Sequence, residues 1–413
     1  MSYCIINRRE CRELKEMSEP LLIYGRRKTG KTWLAKHCIK HEGYVLITRE
    51  ATCLVGEDLY EQNLSDCMKY ITSLLSGNKT VIIDEFQRIP RKTWIDSIAH
   101  KLTESNGRIV LLGSSLGVLE RVFAPHSPLL GLVEAYYVDL ADPRDTVKSL
   151  VNCGMDPSYA VRWIGLARDP WILGLLKPWG EPVDMLYNKA RHLAPIAPGL
   201  IGEVFAEEGR SPARVYDAIL RLLAKGYWNT SQIALSLYNN GLIDSPAQSA
   251  VTGYIRNLER MGLVKGVRLW RTRGARIYYR HRSTLLSVLY YALESVDELG
   301  QEPNKDSLRS RYYVELQFDL AELLAYTKNL RPAYHISPAG WDIDILLVDR
   351  NGRPVWGYEV KSGPMNPAEA RRAVARIRSL GIPKVGLLSL SDTPPSVNGA
   401  DEVLGPMDIA GLK

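Results

Sequence analysis

The sequence has no apolar run approaching the ~18 residues that span a bilayer, and its first residues, MSYCIINRRE, carry no signal-peptide pattern. A cytoplasmic protein with no membrane partner is the expectation. Its six cysteines (Cys4, Cys11, Cys38, Cys53, Cys67 and Cys153) include no CxxC pair, which argues against a zinc site. Reduced, mostly buried thiols are expected, with intracellular disulfides reserved for a hyperthermophilic host. No internal repeat, heptad run or low-complexity tract is present, which leaves ordinary globular domains.

What is present fits about three domains in 413 residues. The hydrophobic fraction of 46% and charged fraction of 24% are ordinary for a globular chain. Net charge is +7 but uneven: residues 251–285 hold nine Lys/Arg against one acid, Glu259. Such a concentration is an electrostatic footprint for a polyanion.

Residues 1–142 alternate apolar strands (PLLIYG, GYVLITRE, TVIIDEF, RIVLLGSS, AYYVDL) with amphipathic segments, the pattern of a covered, mostly parallel sheet. Residues 143–199 read as Pro-punctuated helices, 200–294 as helices closing in a hairpin, and 306–413 as a separate α/β segment after a polar linker.

GRRKTGKT, residues 25–32, fits G-x-x-x-x-G-K-[ST] between an apolar strand and a helix, the context in which loop amides cradle phosphates. Gly25, Arg26, Arg27, Lys28, Thr29 and Gly30 would form the cradle. Lys31 would hold the β- and γ-phosphates and Thr32 would ligate Mg²⁺. TVIIDEF ends an apolar strand on two acids: Asp84 to hold Mg²⁺ and Glu85 to orient or deprotonate the attacking water. Adjacent acids at a buried strand end are costly unless they serve chemistry. Ser114, ending RIVLLGSS, would sense the γ-phosphate or, with Ser115, cap the next helix.

INRRECREL, GRRKTGKT, IIDEFQ, LLGSS and SPLLG together resemble the archaeal ATPase family, AAA+-related P-loop proteins of the STAND type. The resemblance implies a P-loop NTPase core of the ASCE/AAA+ kind, a helical lid and a further C-terminal domain. Members often carry an arginine after the SPL-G glycine, where this chain has Leu132. An arginine acting on a neighbour's nucleotide in a homo-oligomer would therefore be missing at that position; Arg121 is a candidate substitute, the alternative being an ordinary solvated helix charge.

Residues 229–266 read as helix, turn, helix, with the second helix over 246–261, and VRLWRTRGARIYYRH reads as two strands around Gly274. That is a winged helix-turn-helix pattern. Arg268, Arg271, Arg273 and Arg276 would neutralise DNA phosphates. The alternative is a packing module whose arginines pair with acids of other domains.

WDIDILLVDRNGRPVWGYEVKSG carries Asp342, Asp344, Glu359 and Lys361 around Asn351-Gly352. A two-residue type I′ turn there sets Asp344 opposite Glu359 and Asp342 opposite Lys361, all on one face, and leaves Ile343, Ile345 and Leu347 on an apolar one. Facing carboxylates repel unless a cation sits between them, and Mg²⁺ is served by one or two carboxylates. The spacing resembles the PD-(D/E)xK nuclease core, within a restriction-endonuclease-like α/β domain. That resemblance implies metal ligands Asp344 and Glu359, catalytic Lys361, and a helix acid at Glu315, with Glu322 as a second candidate.

The reading is an α/β protein with ATP and Mg²⁺ as cofactors and DNA as partner, whose ATPase gates a nuclease-like site. The rival is a STAND-like switch or DNA-binding regulator without cleavage. No additional helicase-like motif supports a pure motor.

Overall fold

Seven short strands make the N-terminal sheet: β1 (Leu21–Tyr24), β2 (Gly43–Ile47), β3 (Thr52–Val55), β4 (Tyr60–Asn63), β5 (Thr80–Asp84), β6 (Arg108–Gly113) and β7 (Glu134–Tyr137), in the order β4-β3-β2-β5-β6-β1-β7. The structure is a computed structural model describing residues 4–90, 92–113, 116–177, 180–207, 214–272, 276–299, 303–337 and 340–412. Ser114, Ser115, Arg273 and Gly274 lie outside them, as does the Arg121 side chain.

β2, β5, β6, β1 and β7 run parallel. Their central strands are continuous apolar runs because helices cover both faces, and Leu21, Leu22, Ile23, Val81, Ile82 and Ile83 are fully buried. The antiparallel additions β3 and β4, which the sequence reading did not anticipate, extend one edge. β1 lies between β6 and β7, so the loop after it leaves the sheet at a change of connection direction, where such sheets bind ligands.

Helices Pro143–Asn152 and Pro157–Ala167 begin with proline at the first turn, capped by Asp142 and Asp156. Helices Pro182–Leu193 and Ile196–Glu207 follow, then Arg214–Ala224, Thr230–Asn239 and Ser249–Arg260. The last is shorter than the expected 246–261. The hairpin β8 (Val264–Arg268) and β9 (Ile277–His281) and helix Thr284–Leu299 come next.

The C-terminal part opens with helix Lys305–Lys328. It continues through β10 (Arg331–Ile336), β11 (Asp342–Val348), β12 (Pro354–Lys361), helix Pro367–Ser379, β13 (Lys384–Ser389) and β14 (Glu402–Leu404). The sheet order is β10-β11-β12-β13-β14, antiparallel through β12 and parallel beyond. One apolar cluster joins Leu166, Leu220, Leu289, Leu320 and Tyr358, so segments with distinct patterns share a core. Among the described residues no helix is long and apolar enough to cross a membrane.

The cysteines correct the expectation of free thiols. Cys4–Cys153, Cys11–Cys38 and Cys53–Cys67 are disulfides, with Cα–Cα separations of 5.8, 5.1 and 6.6 Å. Their sequence separations of 149, 27 and 14 leave no local spacing to read. Cys11–Cys38 ties helix Glu10–Glu16 to the end of helix Lys31–Cys38. Denatured, unreduced protein is expected to show no titratable thiol, and reduction to release all six cysteines. Reduction is also expected to lower the melting temperature, since each bridge contributes about 2–4 kcal/mol. Thiols that titrate without reductant would contradict the pairing.

Candidate nucleotide site and acidic hairpin

The loop after β1 takes its shape from backbone that few residues adopt. Gly30 caps helix Lys31–Cys38 at φ +92°, and Lys28 is left-handed at φ +68°. A Cβ on Gly25 would stand 2.1 Å from the Val138 carbonyl oxygen, so only glycine passes there. Lys31 Nζ donates to the Gly25 and Arg26 carbonyls at 2.9 and 2.8 Å. Thr32 Oγ1 donates to Asp84 Oδ2 at 2.7 Å, which also accepts from the Tyr44 hydroxyl at 3.1 Å. Burial, then Asp84, pushes that phenol well above its ordinary pKa.

A cleft of about 450 Å³ is lined by Arg27, Lys28, Gly30, Lys31, Thr32, Asp84 and Glu85. Glu85 sits at φ +57°, accepts from Gln87 Nε2 at 2.6 Å, and lies 3.2 Å from Arg88 and 3.7 Å from Arg27. Arg27 Nε is 2.5 Å from Glu203 of helix Ile196–Glu207. Of the expected cradle residues, Arg26 points elsewhere: its guanidinium pairs with buried Asp169. Thr29 Oγ1 donates to the Arg26 carbonyl at 2.8 Å. Trp33, Pro170 and Trp171 complete the cleft, and the buried Trp171 Nε1 has no hydrogen-bond partner among the described residues. Sequence reasoning missed Pro170 and Trp171, because they lie far along the chain in a helical segment that no motif ties to the loop. An anion cradle, an ammonium and a hydroxyl–carboxylate pair fit a magnesium nucleoside triphosphate.

The β11–β12 turn is not the expected two-residue type. Residues 350–352 form a three-residue loop: the Gly352 amide donates to the Asp349 carbonyl at 3.0 Å, and Gly352 is left-handed at φ +79°. Asp349 selects this loop by accepting from the Asn351 and Arg353 amides at 2.9 and 2.8 Å. Val348 pairs with Pro354 but Leu347 with Trp356, so an extra residue at Val355 restores the expected register over 345–347.

The ladder ends at Ile345–Tyr358, so Asp344 and Glu359 are not a regular facing pair. On the other side of β11, Ala333 pairs with Leu346 and His335 with Ile343, so Asp344 and Ile345 together oppose Tyr334. This bulge breaks the expected apolar face. Ile343 packs with Leu346 and Val348, whereas Ile345 and Leu347 join the other layer.

Asp344 Oδ2 accepts from the Val360 amide at 2.7 Å and Oδ1 from Gln317 Nε2 at 3.0 Å. Glu359 lies 3.4 Å from Lys361 Nζ and 2.5 Å from Arg376 Nη2, and Asp342 accepts from the Tyr334 hydroxyl. Burial, then Glu359, raises the Asp344 pKa to about 7.

Glu315 is a correction. Its carboxylate is enclosed by Arg280, Arg311 and Ser287 and does not join the hairpin acids. Burial alone would raise its pKa, but Arg311 and Arg280 hold it below the usual range. Glu322 is likewise engaged, by Arg168, Arg282 and Lys265. The helix residue that reaches Asp344 is Gln317, which a search for acids passes over. Among the described residues, no group of three or more His, Cys, Asp or Glu side chains is arranged to hold a metal ion. A divalent ion here would rest on Asp344 and Glu359, with water completing its shell, as Mg²⁺ tolerates.

Residues 17–128 match a family model described as the AAA domain, a span that includes the loop at 25–32 and Asp84-Glu85. That match makes this segment similar to AAA domains, and it covers about a quarter of the chain. No curated protein matches the chain. Among solved structures, the chain is similar to the Aeropyrum pernix ORC1 protein in complex with DNA, at 15% identity over 70% of this chain and 93% of that one, with a TM-score of 0.32. It is also similar to the Aeropyrum pernix ORC2 protein in ADPNP–ADP complexes, at 15% identity over 75% of this chain and 90% of that one, with a TM-score of 0.37.

The basic hairpin lies between the AAA domain and the C-terminal sheet. At its base, Lys265, Arg280 and Arg282 pair with Glu322, Glu315 and Asp139. Toward its tip, the Trp270 amide donates to the Tyr334 carbonyl at 2.8 Å, and Arg271 donates to the Leu380 carbonyl at 2.7 Å while lying over the Trp270 ring. Arg268 and Arg276 are exposed. Much of the hairpin's positive charge therefore serves packing, and the exposed arginines are what remains for a polyanion.

Asp344 sets a pH dependence. Its folded pKa lies above its unfolded value, so its contribution to stability is present below about pH 4 and is lost as pH rises through about 7. Carboxyl NMR is expected to show one aspartate titrating near 7 that disappears in Asp344→Asn. That variant is also expected to flatten the decline in stability over the same window. An ordinary acidic midpoint for Asp344 would contradict the buried, charge-crowded site.

Proposed function

We propose that the chain is an ATP-hydrolysing protein that acts on DNA, with a PD-(D/E)xK-type metal site at the end of its C-terminal hairpin. Lys31 would hold the nucleotide phosphates, Thr32 and Asp84 the Mg²⁺, and Glu85 the attacking water. The carrying observation for the second site is Asp344. It sits on a β-bulge, shares a low-dielectric corner with Glu359 and Asp342, and has its pKa raised to about 7 by burial first. A bulge that re-aims a carboxylate into such company is the kind of feature active sites use.

The order helix, three antiparallel strands, helix, parallel strand supports the same reading. Mg²⁺ held by Asp344 and Glu359 would supply charge stabilisation for phosphodiester hydrolysis. Lys361 would donate to the scissile phosphate. Gln317 would orient Asp344, taking the place expected for Glu315. Helices Thr230–Asn239 and Ser249–Arg260 with hairpin β8–β9 would act as a winged helix-turn-helix, presenting exposed Arg256, Arg260, Arg268 and Arg276 to DNA backbone.

One observation favours the rival reading of a nucleotide-dependent, DNA-binding switch without cleavage: both Glu359 oxygens already have cationic partners, Lys361 and Arg376. Full-length protein with Mg²⁺, ATP and single- or double-stranded DNA separates the two. Cleavage lost in Asp344→Ala and Glu359→Ala, with ATP turnover retained, is the expected result. Glu85→Gln is expected to bind ATP and slow its hydrolysis on the order of 10²-fold or more. Salt-sensitive DNA binding with no cleavage under any metal would leave the switch as the function.

A further inference from the structure

The loop that would hold phosphates and the carboxylate that would hold the second metal are linked by buried polar contacts, by the Arg168–Asp169 backbone and by one helix. Arg26, inside the loop, pairs with Asp169, whose other oxygen accepts from Ser283 at the start of helix Thr284–Leu299. The neighbouring Arg168 spans three elements. Its Nε donates to the Ala141 carbonyl at 2.8 Å, Nη1 pairs with Asp319, and Nη2 donates to Glu322 at 2.7 Å.

A second path leaves the same loop. Arg8 donates to the Thr29 carbonyl at 2.5 Å and to the Asp139 carbonyl at 3.0 Å. Arg282 then joins the Asp139 carboxylate at 2.8 Å to Glu322 at 2.9 Å. The first path ends on Asp319 and Glu322 of helix Lys305–Lys328 and the second on Glu322, and Asp169, Arg168, Asp319 and Glu322 are each no more than 2% exposed. Glu315, Asp319 and Glu322 are spaced to share one helix face, which meets the junction. Gln317, half-buried elsewhere on the helix, donates to Asp344 at 3.0 Å.

We propose that Asp169 and Arg168 are positioning residues that transmit nucleotide occupancy of the AAA domain to Asp344, through helix Lys305–Lys328 and Gln317. The inference rests on the reading of both sites given above and adds their regulation. Its physical basis is competition. Phosphates bound by the loop attract Lys31, which here donates to the Arg26 carbonyl, and Arg26, which here is committed to Asp169. Either demand shifts the Arg26–Asp169 pair. A buried charge cannot be left without a partner cheaply, so the Asp169–Arg168 segment follows, and with it the helix that Arg168 grips. A shift of Gln317 changes the hydrogen bond that orients Asp344. Linkage makes the effect reciprocal: a divalent ion on Asp344 changes nucleotide affinity by the same factor.

Amide hydrogen exchange on the full chain tests this without depending on catalysis. Adding the non-hydrolysable analogue adenylyl-imidodiphosphate with Mg²⁺ is expected to protect residues 25–32. It is also expected to change exchange in residues 305–328 and 342–348 on the order of fivefold or more, the lower end of allosteric couplings. In Asp169→Asn the loop is expected to remain protected while the distant change disappears, and Asp169→Glu is expected to restore it. Gln317→Leu provides the second arm: it should keep the response of the helix and lose that of residues 342–348. A protected loop with no distant response in the wild type, or a full distant response in Asp169→Asn or Gln317→Leu, would overturn the proposal. Failure of the cleavage reading is seen separately, as wild-type protein that never cuts DNA while the exchange response stands.

Discussion

Glu322 is the constraint around which the chain is arranged. Its buried carboxylate is shared by Arg168 from the helical segment after the AAA domain, and by Lys265 and Arg282 from the base of the basic hairpin. Burial alone would neutralise such an acid, but Arg282, Arg168 and Lys265 hold its pKa well below the ordinary value. Charges taken this far from water are costly to leave unpaired, so the segments that supply them are held in one arrangement. Asp319 beside it, and Glu315 one turn before Asp319, repeat the pattern with Arg168 and with Arg280 and Arg311. Helix Lys305–Lys328 thus holds the C-terminal sheet on one side and is held by the rest of the molecule on the other.

How legible this was depends on whether the signal was local. The P-loop and the Asp84-Glu85 strand end were readable because contiguous residues impose both backbone and chemistry, and Thr32 does meet Asp84. The hairpin register was readable over 345–347 although the turn type was not, because the extra residue at Val355 offsets the longer loop. The bulge at Asp344–Ile345 was hidden, since it depends on pairing with β10, which no alternation pattern reveals. Glu315 was chosen for its acidity and Gln317 passed over, yet helix phase, not residue type, decides which side chain reaches Asp344. The disulfides and the Arg26–Asp169 pair join distant positions and left no trace in spacing.

The basic hairpin shows why charge density alone does not define a nucleic-acid surface. Its excess of arginine was evident in the sequence, but Lys265, Arg280 and Arg282 spend their charge on buried acids. A surface for phosphates would rest on the exposed remainder, while the hairpin itself reaches the C-terminal part through contacts of Trp270 and Arg271. The same hairpin therefore bridges the N-terminal segment and the C-terminal sheet and presents charge outward.

The central claim is that the buried ionic junction makes the N-terminal sheet, the helical segment and the C-terminal sheet one cooperative unit. Calorimetric unfolding of Glu322→Gln tests it most directly, because the change preserves shape and removes the one charge that three cations share. A single transition in the wild type should give way to separate transitions, or to one transition destabilised by about 3–5 kcal/mol. A variant that melts as the wild type does would show that the junction does not hold the molecule together.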